Sequence, residues 1–132
     1  MKVLMPEGWK SPIGYSNGIA VPAGRIVFVA GQVGWNADQV FESTELAPQF
    51  DQALTNILAI LAEAGGRPEH ICRMTAFCID KSAYLAARPK LGTIWKRHMG
   101  NHFPAMSMIF VADLLDHPGL IELETTAVLP PD

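Results

Sequence analysis

Two stretches of the chain carry the stripe of a helix, and five read as strands. From Pro48 to Ala64, Phe50, Leu54, Ile57, Leu58 and Leu61 fall at i, i+4, i+7, i+8 and i+11, which is one apolar face. Pro48 suits a first turn, so the start is expected between Thr44 and Pro48. Gly65-Gly66 supplies the cap and Pro68 prevents a restart. A second helix is expected to turn Leu91, Ile94, Trp95 and His98 or Met99 inward and to stop at Gly100-Asn101. Pro89 either kinks it or opens its regular part. Tyr15–Val21 and Arg25–Val33, joined by Pro22-Ala23-Gly24, read as a hairpin. His70–Ile79 reads as a third strand with Ile71, Arg73, Thr75, Phe77 and Ile79 on one face. Met1 to Gly14, broken by Pro6, Gly8 and Pro12, reads as an extended arm.

The last two strands are the most informative. In Phe103–Leu114, Ala105, Ser107, Ile109 and Val111 point one way, and Met106, Met108, Phe110 and Ala112 the other. Both faces are mostly apolar and both need cover. In Leu120–Pro130, Glu122 and Glu124 share a face opposite Ile121, Leu123 and Thr125. The order ββαβαββ implies an α+β fold, a mixed sheet of five or six strands with two helices on one face. Two helices leave the second face bare, and the simplest cover is another copy of the chain.

With 132 residues the chain is long enough for one domain, residues 1–132, with its own core. A net charge of −3 gives no general pull toward nucleic acid, and Arg88, Lys90, Lys96 and Arg97 on the second helix read as a solvated face. No stretch approaches a membrane span and none resembles a signal peptide, so the expected location is cytoplasmic. Cys72 and Cys78, six residues apart on one strand, would have Cα atoms ~20 Å apart, far beyond the ~7 Å limit for a disulfide. They are expected as free thiols. His98 and His102 have a metal-compatible spacing, but Gly100-Asn101 interrupts the helix between them, so no metal site is expected.

Five blocks, in this order and spacing, resemble the Rid family, also called YjgF or L-PSP. They are GRIVFVAGQVG, QFDQALTNILAILAEAGG, CRMTAFCID, FPAMSMIFVADL and IELETTAV, within Ile13 to Leu129. The resemblance implies a chorismate-mutase-like fold and a homotrimer with ligand clefts between subunits. It also implies cofactor-free hydrolysis of reactive enamines or imines to a keto acid and ammonia. By position, the family's cleft tyrosine is Tyr15, its turn is Ala30-Gly31-Gln32 and its water-positioning glutamate is Glu122. The family's carboxylate-gripping arginine should follow Pro104-Ala105, where this chain has Met106. Methionine cannot form a bidentate clamp, so a simple 2-imino acid is not the expected substrate.

Glu122 is therefore the catalytic candidate, a carboxylate able to pass protons if its pKa is raised. Tyr15, Ala30, Gly31, Trp35, Met106, Ser107 and Met108 are the candidates for lining the cleft. An apolar cleft of this kind suits an aromatic or thioester-like ligand. Ser107 has no visible base beside it and is not expected as a nucleophile. A non-catalytic trimer that binds a small molecule or a protein partner is the alternative. Ribonuclease activity, reported for some family members, fits the acidic charge less well.

Overall fold

The computed structural model describes residues 1–132. The strands are β1 (Lys2–Leu4), β2 (Gly18–Ala20), β3 (Arg25–Val33), β4 (Ile71–Cys78), β5 (Ala105–Phe110) and β6 (Ile121–Leu129). The helices are α1 (Leu46–Ala62) and α2 (Lys81–Met99), with a single 3-10 turn at Pro68–His70. The main sheet has four strands in the order β3-β6-β4-β5. Its β4–β5 pair is parallel and the others are antiparallel. Both helices pack on one face, giving the α+β architecture expected.

α1 forms where the apolar stripe indicates, burying Phe50, Leu54, Ile57 and Leu61 against the sheet. It ends at a left-handed Gly65 (φ +79°), where the Gly66 N–H donates to Leu61 O and the Gly65 N–H to Ala62 O. At the other end Gln49, almost wholly buried, donates to Ser43 O and Pro118 O and accepts from the Leu120 N–H. That one side chain ties α1 to the loops before it and before β6. α2 starts at Asp80, whose carboxylate accepts from the Ala83 N–H, and runs through Pro89 without ending. Asp51 on α1 pairs with Arg97 (2.7 Å) and His98 (2.5 Å) on α2, so the helices are linked at the surface as well as through the core.

Three expectations are corrected. β2 does not form a hairpin with β3; it pairs with β1, so the arm contributes a strand and the order becomes βββαβαββ. The Pro22–Gly24 link instead packs beneath the end of β6, where a Cβ on Gly24 would lie 2.2 Å from Leu129 O. The link thus serves the β3–β6 pairing. The main sheet has four strands rather than five or six. The buried face of β4 is also not the alternating set from Ile71 to Ile79. A register shift between Ile71 and Arg73 inserts Cys72, so Ile71 shares the core with Met74, Ala76 and Cys78 while Arg73 is exposed. Both cysteines are unpaired, and burial pushes their thiols up from the ordinary value.

Candidate active site

The sheet has two unlike faces, and the candidate residues divide between them. On the helix side, α2 packs chiefly on α1 and stands off β5, leaving a groove of about 530 Å³ between α2 and the strand. Met106 and Met108 project into it from β5. Tyr15 reaches the same groove because the next residue is pinned. The Ser16 N–H donates to Pro104 O (3.0 Å), its hydroxyl donates to Phe103 O (2.5 Å), and Ser16 pairs with Ala105 as a parallel bridge. Aromatic side chains line the walls. Trp95 stacks on Phe103 with ring centroids 6.2 Å apart, and Tyr84 meets Phe110 edge-on at 5.6 Å.

Glu122, Gly31, Ala30 and Ser107 belong to the opposite face. Glu122 sits between Val33 of β3 and Phe77 of β4. A register shift between Val29 and Gln32 bulges β3 at Ala30-Gly31, and the glutamate side chain lies directly over Gly31. A Cβ there would come within 2.8 Å of Glu122 Cδ. The carboxylate has no hydrogen-bond or ion-pair partner. Partial burial, and then the nearby Asp116 and Glu124 carboxylates, hold its pKa above the ordinary value of 4.5. Ser107 stands across β4 from Glu124, with Thr75 between them.

Trp35 goes to neither group. It packs against Phe41 (5.7 Å) while its carbonyl accepts from Asn56. His98 and His102 also part company: one binds Asp51 and the other the Ile71 carbonyl. The open face of the sheet is strongly apolar at its edges, with Phe28 78%, Ile26 61% and Ile109 43% exposed.

Sequence reasoning missed Arg88. It is exposed, as the solvated-face reading expected of it and of Lys96, but both also border the groove. The signal was present: Arg88 stands at i+4 from Tyr84, i−3 from Leu91 and i−7 from Trp95, on one side of α2.

The fold therefore defines a class: an α+β chain with helices on one face of a mixed sheet, a groove on that side and a partly desolvated carboxylate on the other. Residues 9–129 match the family described as Endoribonuclease L-PSP, and the chain belongs to that family, which includes the Rid and RutC proteins. It is 30% identical to a RutC family protein of Synechocystis sp., each chain covered over 98% of its length. It is 27% identical to a protein of Dermatophagoides farinae named 2-iminobutanoate/2-iminopropanoate deaminase, covering 89% of this chain and 88% of that one. Among solved structures, the Rid-family protein YyfB of Yersinia pestis superposes with a TM-score of 0.85 at 32% identity, over 97% of this chain and 98% of that one. No helix is long and apolar enough to cross a membrane.

Proposed function

We propose that this protein hydrolyses a reactive imine or enamine to a carbonyl compound and ammonia, in a cleft formed between copies of the chain. The observation that carries this reading is Glu122. Its carboxylate is unpaired and partly desolvated, its pKa is raised, and the glycine beneath it leaves it clearance. In such a surrounding a carboxylate exchanges protons closer to neutrality than a free glutamate does. Water adds to the carbon of the C=N bond, with Glu122 taking a proton from the water. Glu122 passes that proton to nitrogen, giving a carbinolamine, and then relays the carbinolamine's hydroxyl proton to the same nitrogen, so that the C–N bond breaks and ammonia leaves as C=O forms. No cofactor enters this balance.

Glu122 and the Tyr15–Met106 groove lie on opposite faces of one sheet, so a single copy does not bring them together. A homotrimer that sets the open face of one copy beside the groove of the next would join them, and the exposed Phe28 and Ile26 support such burial. The mite relative whose name states an iminobutanoate deaminase supports the reaction class. Met106, where the resemblance leads one to expect arginine, favours a second reading, a trimer that binds a small molecule without turning it over.

The test is ammonia release when short-lived imines are generated in place by an amino-acid oxidase. Acceleration by the parent protein that disappears in Glu122→Gln supports the proposal. No acceleration with aliphatic or aromatic imines leaves the binding reading.

A further inference from the structure

We propose that the α2–β5 groove takes an amphipathic anion, an aromatic or similarly flat apolar body with one carboxylate, and that Arg88 holds the carboxylate. This rests on the reading of the groove as the substrate-binding half of the cleft, and names the class of ligand it takes.

The position of Arg88 follows from contacts at the two ends of α2. Lys81 and Tyr84 lie by Phe110, and Trp95 lies on Phe103, so α2 runs antiparallel alongside β5. Arg88, between them, falls level with Met106 and Met108. Its guanidinium is free. Arg25, Arg67 and Arg97 each pair with a carboxylate, whereas Arg88 has no such partner, and no acidic residue lines the groove. Arg73, also without an ion pair, is on the opposite face of the sheet. Lys96 is the only other groove cation, about 12 Å further along the helix axis, toward Gly100 and Asn101.

The rest of the groove is built for an apolar body. Two methionines give its floor an adaptable surface, and Tyr84, Trp95 and Phe103 give it flat walls. Its volume lies within the 300–1,000 Å³ typical of small-molecule sites. Gly92, one turn after Arg88, also lines it, and a Cβ built there meets nothing within 4 Å, so the space before it is open. A planar fork of donors binds a carboxylate in two places and tolerates aromatic neighbours, which suits arginine to this wall. The strand floor carries thioethers and no cation, while the facing helix offers Arg88. The ligand's anion would sit on the helix side, leaving the floor to its apolar part.

The test titrates the assembled protein with 3-phenylpropionate, with the neutral 3-phenylpropanol and with propionate, by calorimetry. Phenylpropionate is expected to bind at least tenfold more tightly than either comparator. Arg88→Gln should cost phenylpropionate tenfold to a hundredfold and leave phenylpropanol unchanged. Arg88→Lys should recover part of the loss, and Gly92→Leu should exclude both aromatic ligands. Unaltered phenylpropionate affinity in a folded Arg88→Gln variant would overturn the inference. So would loss in Lys96→Gln alone, equal binding of propionate, or no binding because a neighbouring subunit fills the groove. Ammonia release separates the two proposals. Arg88-dependent binding without turnover removes the hydrolase and keeps the inference; turnover of imines with binding indifferent to Arg88 does the reverse.

Discussion

Glu122 illustrates how one residue's surroundings set its chemistry. Its carboxyl ionises at a higher pH in the folded chain than in the unfolded one, because burial and two neighbouring carboxylates disfavour the charge. Between the two pKa values the folded state holds more protons, so stability falls as pH rises from the ordinary value of 4.5 through the folded value. Above that window the penalty is complete. Glu122→Gln removes it, so the variant should melt higher than the parent at pH 7 and at the same temperature at pH 4. Melting curves of both proteins across this range check the sign. An equal difference at both pH values would mean that the side chain's shape, not its charge, is responsible.

At the scale of elements, the helices and strands were largely legible because each has a period and punctuation. α1 needed only its stripe, Pro48 and Gly65-Gly66. What the period misses is the insertion of a residue into a ladder. Cys72 on β4 and Ala30-Gly31 on β3 change the parity of their strands, and of these only Gly31, a glycine inside a strand, carries a local mark of a bulge. The polar tie at Gln49 was equally invisible, since a glutamine within an apolar stripe reads as surface. Its side chain serves two carbonyls and one N–H inside the fold. Gln49→Leu should therefore destabilise the protein by roughly 3 kcal/mol, the cost of several orphaned buried groups. Urea unfolding measures this. A loss below about 1 kcal/mol would mean that water reaches those groups once the amide is gone.

For the molecule as a whole, the uncovered face of the sheet is the dominant fact. Phe28 is 78% exposed on the edge strand β3, so a charge there costs the isolated chain little. If the open face of each copy packs against its neighbour, Phe28→Glu would bury an unpaired carboxylate and the assembly should come apart. Light scattering after gel filtration should then give a mass near 14.4 kDa for the variant and about three times that for the parent. A variant with unchanged mass and an unchanged melt would remove Phe28 from the contact.

The sequence alone determined the two helices, the strand segments other than β1 in the arm, the α+β class and the family resemblance. These depend on local periodicity, on turn residues and on motif order, all of which a linear string records. It also identified Glu122, Tyr15 and Met106 as candidates, since each was identified by its place in a motif. Only the tertiary structure decided that Glu122 and Met106 look away from each other, and that the exposed Arg88 borders a groove. Alternation along one strand tells which of its own residues share a face. The relation between the faces of different strands depends on register, on bulges and on where the helices lie, and these follow from long-range packing.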